Sequence, residues 1–110
     1  MKQRDVYLAD LEPTRGKEQR GVRPVVIISG NTMNDRLGIF IVCPLTSKIK
    51  NYASCVVIKK NKENGLGVDS EVIPFQIRSL DRSRLIKRLG CISLSELGLI
   101  FENLADTLRY

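Results

Sequence analysis

The sequence predicts a mainly β domain with short helices: a small β-barrel finished by a C-terminal amphipathic helix. Three observations point there. Continuous β-branched runs of strand length (VVIIS, IFIVC) follow one another, glycine and proline mark short breaks between them, and the last segment switches its apolar residues to helical spacing. A chain of 110 residues fits one domain, taken as 1–110, and 43% hydrophobic residues suffice for one compact core.

The elements follow in order. Residues 6–11 (VYLADL) alternate imperfectly between charge and Pro13 and read as a strand. Residues 12–22, with Pro13, Gly16, Gly21 and mixed charges, lack apolar periodicity and form a long connection of the kind that is functional or mobile. The runs at 24–29 (PVVIIS) and 39–45 (IFIVCPL) predict central strands buried on both faces, and 30–38 between them predicts a turn or one helical turn. Residues 54–59 (SCVVIK) and 70–74 (SEVIP) predict two more strands joined by a glycine-rich hairpin loop at 61–69. A shorter helix or turn is expected at 81–86 and a brief strand at 89–92. In the tail, Ser93 and Glu96 match a capping box, and Leu94, Leu97, Ile100, Phe101, Leu104 and Leu108 predict a helix over 93–108, packed on the barrel or on a second subunit.

A formal charge of +6 favours anionic partners such as nucleic acid, an acidic protein or a lipid surface, without choosing among them. No apolar run approaches the ~18 residues that cross a bilayer, and MKQRDVYLADL lacks the apolar centre of a signal peptide, so a cytoplasmic protein without membrane contact is expected. The three cysteines, Cys43, Cys55 and Cys91, are odd in number and sit among apolar residues, which suggests buried reduced thiols. No cysteine pair has ligand spacing and the chain has no histidine, so neither a metal site nor a cofactor is expected. Without imidazole, any acid or base working near neutral pH must come from other groups.

Three stretches could carry chemistry. In GKEQRGVRPVVIIS, Arg23 precedes Pro24, which biases it toward extended backbone at a strand entrance. Its guanidinium, a planar fork of five donors, suits a phosphorane or a leaving oxygen, and equally suits a surface ion pair. In PLTSK, Thr46, Ser47 and Lys48 end the central strand; if 24–29 and 39–45 pair antiparallel, Arg23 and Thr46 come close, although the hydroxyls would also serve to start a turn. In FQIRS, Phe75, Gln76 and Arg78 could bring a stacking ring, an amide and a guanidinium to the same rim, as in single-stranded RNA recognition; a buried turn network would use Gln76 too.

Taken together, DVYLADLEPTRGKEQRGVRPVVIIS, VCPLTSK and DSEVIPFQIRSLDRSRL, in this order and spacing, resemble the MazF/PemK/Kid family of bacterial toxin ribonucleases. The resemblance implies an SH3-like barrel working as a homodimer. It implies a small antitoxin protein that wraps the dimer and blocks the RNA groove. The implied activity is metal-independent, sequence-specific cleavage of single-stranded RNA, chiefly mRNA, by 2′-hydroxyl attack, leaving 2′,3′-cyclic phosphate and 5′-hydroxyl ends. By position Arg23 and Thr46 match the family's catalytic arginine and threonine, and Glu18 and Gln19 its E-Q pair. Arg20, Ser47, Lys48, Phe75, Gln76 and Arg78 are then expected at the RNA.

Glu18 is the nearest carboxylate for a general base, since the neutral form of an arginine is scarce. The chain departs from the family pattern at Phe75, where many members carry an acidic residue, at Ile73, where Kid-like members carry arginine, and at Lys17, where they carry histidine. Two other readings are a CcdB-like toxin that binds DNA gyrase without catalysis, and an RNA-binding module that has lost catalysis.

Overall fold

A computed structural model describes residues 1–109. The elements run β1 (Asp5–Asp10), β2 (Val22–Ile27), α1 (Asn31–Leu37), β3 (Ile39–Thr46), β4 (Val56–Ile58), β5 (Ser70–Val72), β6 (Arg78–Asp81), β7 (Leu85–Cys91) and α2 (Leu94–Arg109), with single 3-10 turns at Pro74–Gln76 and Arg82–Arg84. All strand pairs are antiparallel, in the order β4-β5-β3-β2-β1-β7, with β6 also on β3. β4 and β7 remain the two ends, so the hydrogen-bonded barrel is not closed.

The central runs are buried on both faces, as the unbroken apolar pattern requires. Val26, Ile28, Cys43 and Leu45 point into one cluster with Val72, while Val25, Ile27, Phe40 and Val42 point into the other with Leu80. α2 covers the first cluster with Leu97 and Ile100, and Leu104 packs against it. The capping box forms: Ser93 Oγ accepts from the Glu96 N–H at 3.1 Å, and the Glu96 carboxylate accepts from the Ser93 N–H at 2.9 Å. Leu94, Phe101 and Leu108, expected on the packed stripe, are exposed instead.

Pro44 lies inside an interior strand, where its lack of an N–H would break the ladder. β3 resolves this by changing partner there. Its first half, Ile39 to Val42, pairs with β6, and its end, Leu45 and Thr46, pairs with β5. The Pro44 carbonyl accepts from the Ile73 N–H at 3.0 Å on that same edge, so the missing donor falls in the gap between the two partners.

Several expectations need correction. Residues 30–38 hold a true helix, α1, closed by Gly38 at φ 63°. Buried Asn34 bonds Ser29 through its side-chain oxygen and donates to the Ser29 carbonyl at 2.9 Å. β6 escaped notice because only Leu80 of its four residues is buried. The expected helix or turn at 81–86 is a single 3-10 turn, with Asp81 accepting from the Ser83 N–H at 2.9 Å. β7 begins at Leu85 rather than 89; it pairs only with β1, and exposed Ile86, Lys87 and Arg88 carry no apolar alternation. Of the cysteines only Cys43 is buried, its thiol pushed up to about 12 by loss of water; Cys55 and Cys91 are half-buried, and all three are free.

The loop at 61–69 joins β4 to β5, as expected, but it is also fixed to β7. The Cys91 N–H donates to the Glu63 carbonyl at 2.7 Å. A Cβ on Gly90 would lie 2.1 Å from that carbonyl oxygen, so the backbones meet where only glycine fits.

Candidate active site

The β2–β3 register places the site. Val25 faces Pro44, Val26 faces Cys43 and Ile27 faces Val42, and pairing then stops. Continued beyond Val25 and Pro44, the same register sets Arg23 against Thr46, where the strands have separated. On the far edge of β3, Thr46 pairs with Glu71 of β5. Thr46 and Glu71 are directly opposed and share a face, while Arg23 stands on the other side of Thr46, just beyond the last β2–β3 pair.

Arg23 and Thr46 line one cleft of about 240 Å³ with Glu18, Gln19, Arg20, Ser47 and Lys48. Arg23 is half-buried and makes no ion pair among the described residues. Its Nε donates to the Arg20 carbonyl at 2.9 Å and one Nη to the Gln19 side-chain oxygen at 2.5 Å. Those two bonds leave most of its donor fork for a ligand. Thr46 Oγ1 accepts from the Lys48 N–H at 3.1 Å, so it does start a turn while its own proton stays available.

The loop between β1 and β2 is braced at both ends. At its base the Leu11 N–H donates to the Gly21 carbonyl at 3.0 Å. The Glu12 carboxylate accepts from the Gly21 N–H at 2.6 Å, and this bond, helped by Thr14, holds Glu12 below the ordinary carboxylate range. At the tip, Gln76 accepts from the Gln19 N–H at 3.3 Å and donates to the Lys17 carbonyl at 3.0 Å. Glu18 is exposed, lines the cleft, and accepts from the Arg15 N–H at 2.6 Å. Arg20 is exposed and donates to the Gly16 carbonyl at 3.2 Å.

The third stretch lies together as expected: Phe75, Gln76 and Arg78 line one cleft with Glu18 and Gln19. Counting this one, Phe75 and Gln76 line two clefts that share Gln19 with the Arg23–Thr46 cleft, so the three surround the loop tip. Arg78 also donates to the Leu11 carbonyl at 3.0 Å. Glu71 was missed by sequence reasoning. Nearly fully buried, it accepts from the N–H groups of Lys50 at 3.3 Å and Asn51 at 2.9 Å. A lone carboxylate inside the run SEVIP was its signal. Among the described residues no three His, Cys, Asp or Glu side chains form a metal-ligand group.

A family model of the PemK-like, MazF-like toxins of type II toxin–antitoxin systems matches residues 2–108. The chain belongs to this family. It is 43% identical over 95 residues to the endoribonuclease MazF of Staphylococcus saprophyticus, covering 84% of this chain and 78% of that protein. The structure of MazF from Deinococcus radiodurans superposes with a TM-score of 0.88 at 28% identity, over all of this chain and 97% of the other. A MazE–MazF structure from the same organism gives 0.80 at 28% identity, over 98% of this chain and 95% of the other. The likeness therefore includes the strand ends and the loop that build the cleft.

Proposed function

We propose that this MazF-family chain is the toxin of a type II toxin–antitoxin system and an endoribonuclease that cleaves single-stranded RNA, chiefly mRNA, at the Arg23–Thr46 cleft. The observation that carries this reading is the cleft that Arg23 and Thr46 line together just beyond the last β2–β3 pair. A guanidinium and a hydroxyl there would meet a phosphate from two sides, and Gln19 already fixes the guanidinium. The MazF relatives support the activity, and the MazE–MazF structure supports a protein antitoxin as partner.

In the chemistry we propose, the ribose 2′-oxygen attacks the adjacent phosphorus and the bond to the 5′-oxygen breaks. The products are a 2′,3′-cyclic phosphate and a 5′-hydroxyl. Charge gathers on the nonbridging oxygens, where Arg23 and the Thr46 hydroxyl donate. Glu18 is the carboxylate in the cleft and takes the 2′-proton; the leaving oxygen receives its proton from Arg23 or solvent. Gln19, Arg20, Ser47 and Lys48 hold the strand beside the cut, with Phe75 and Gln76 on the adjoining surface. We infer a single domain working as a homodimer in the cytoplasm, where mRNA lies. No helix among the described residues is long and apolar enough to cross a membrane.

The test is incubation of purified wild type, Arg23→Ala and Thr46→Ala with a long RNA in excess EDTA, with cut sites and end groups mapped. Discrete cuts with cyclic-phosphate and 5′-hydroxyl ends, abolished in both variants, are expected. A folded wild type that cuts nothing would shift the reading to a gyrase-binding or inactive RNA-binding relative. Unchanged single-turnover rate and pH profile in Glu18→Gln would remove Glu18 from the role of base.

A further inference from the structure

Three successive carbonyls, those of Asp10, Leu11 and Glu12, lie where β1 leaves the sheet for the loop that carries Glu18 and Gln19. On the β2 side the chain stays paired there: Asp10 faces Val22, and the Leu11 N–H donates to the Gly21 carbonyl at 3.0 Å. On the β7 side the ladder has run out, because its last pair is Ala9 with Leu85 and the chain before Leu85 curls into the turn Arg82–Arg84. Two guanidiniums take the place of the missing strand. One Nη of Arg84 donates to the Asp10 carbonyl at 3.3 Å and to the Glu12 carbonyl, and Arg78 donates to the Leu11 carbonyl at 3.0 Å. Both arginines are half-buried and neither makes an ion pair among the described residues, so their charge is spent on main-chain oxygens.

The brace reaches beyond these carbonyls. Glu12, whose carbonyl Arg84 holds, accepts from the Gly21 N–H through its carboxylate at 2.6 Å, and Gly21 stands two residues before Arg23. One residue further back, the Arg20 carbonyl accepts from Nε of Arg23 at 2.9 Å. Arg84 is thus linked through Glu12 to the arm of the loop that leads into Arg23, while it is not itself among the residues lining the Arg23–Thr46 cleft. We propose that Arg84 is a positioning residue for the cleavage reaction: it fixes the root of the β1–β2 loop, so that Arg20, Gly21 and Arg23 meet the RNA in one arrangement. The inference rests on the ribonuclease reading and adds to it a residue outside the cleft. The single stretch 76–84 then holds the loop at both ends, Gln76 at the tip and Arg84 at the root. A planar guanidinium suits the root because its rigid fork serves two carbonyls at once, where an ammonium on a flexible stem is a point charge.

The test follows amide hydrogen exchange and cleavage in the same proteins: Arg84→Ala, Arg84→Lys, and Lys87→Ala, an exposed cation of the next strand, as the control for lost charge. In Arg84→Ala the Leu11 and Gly21 amides should exchange faster, while the Ile28 amide, which donates to the Ile41 carbonyl at 2.9 Å, keeps its protection. Single-turnover cleavage at saturating RNA should fall about 10- to 100-fold, the cost of a misplaced catalytic group. Affinity for a strand with a 2′-deoxyribose at the cut, and the slope of that affinity against salt, should match wild type, because no phosphate contact is lost. Arg84→Lys should recover part of the protection and part of the rate together, and Lys87→Ala should change neither. Lost cleavage with Leu11 and Gly21 still protected would overturn the proposal, as would a shallower salt slope, the mark of a direct hold on RNA. Freed amides with wild-type cleavage would overturn it too. If the wild type cuts no RNA, the ribonuclease reading fails separately, and the exchange data alone decide whether Arg84 roots the loop. Should Arg84→Ala fail to fold, Arg84→Lys against wild type carries the same comparison.

Discussion

Gln76 grips Gln19 through its backbone, accepting from the Gln19 N–H at 3.3 Å, while the Gln19 side chain in turn accepts from Arg23 at 2.5 Å. The guanidinium is therefore oriented by a residue of the third sequence block through a residue of the first. Gln76 also holds the Lys17 carbonyl at 3.0 Å. Losing two such bonds, each worth about 0.5–1.5 kcal/mol net, should loosen the loop tip more than the fold. Gln76→Ala is expected to lower single-turnover cleavage about 10- to 100-fold with a Tm change of only a few degrees. Equal cleavage by the variant would mean that Arg23 needs no such brace.

Arg23→Lys should fail to restore activity. An ammonium supplies charge but neither the planar fork nor the simultaneous bonds to Gln19 and Arg20. A loss of about 100-fold or more in kcat is expected, the size seen when one donor to a developing oxyanion is removed. Thr46→Ser should retain most activity and Thr46→Val should not, which burst-free single-turnover kinetics will separate.

Glu71→Leu would leave the Lys50 and Asn51 N–H groups without their acceptor. About 1–3 kcal/mol of stability should be lost, read as a fall in the denaturation midpoint. A variant as stable as wild type would show that water replaces the carboxylate at no cost.

Gly90→Ala pushes a methyl group to 2.1 Å from the Glu63 carbonyl oxygen, and backbone on both sides has nowhere flexible to yield. A destabilisation of about 3 kcal/mol or more is expected by chemical denaturation. Gly67→Ala, whose Cβ meets nothing within 4 Å, serves as the control in the loop that carries Glu63.

Glu12 gives a pH prediction. Its folded pKa is lowered from 4.5, chiefly by the Gly21 N–H, so the stability it adds is fully present above the unfolded value and is lost as pH falls through the folded one. Asp81, lowered from 3.8 by Ser83, acts in the same direction. In a Tm-against-pH series, Glu12→Gln should therefore lie below wild type at neutral pH and converge with it on acidification below about 4.5. A constant gap down to strongly acid pH would contradict the assignment.

The sequence carried the parts of the fold that rest on continuous burial or on local chemistry. β2 and β3 were readable because both their faces are covered, and α2 because Ser93 and Glu96 mark its start. β6 and most of β7 were not, since strands that bury one residue or pair on one edge leave no apolar rhythm. In the site, Arg23 and Thr46 were foreseeable from the antiparallel pairing of two obvious strands. Phe75, Gln76 and Arg78 were foreseeable as a group from their adjacency and do line one cleft, whereas the bond from Arg78 to the Leu11 carbonyl is a contact across the fold that spacing cannot reveal. Glu71 depends on which loop lies against which strand, information that belongs to the topology.

Where β3 changes partner at Pro44, the molecule divides its labour. The row holding Arg23 and Thr46 is set by β2 against β3, whereas the turn at Pro74–Gln76 fills the opening between β5 and β6 on the opposite edge. Substitutions in that turn can accumulate without moving the hydroxyl or altering the strand that bears it, provided Gln76 keeps its hold. Position 75 is therefore free to vary while the edge that carries Arg23 and Thr46 stays as it is, so the cleft and the surface beside it are separable parts of one chain.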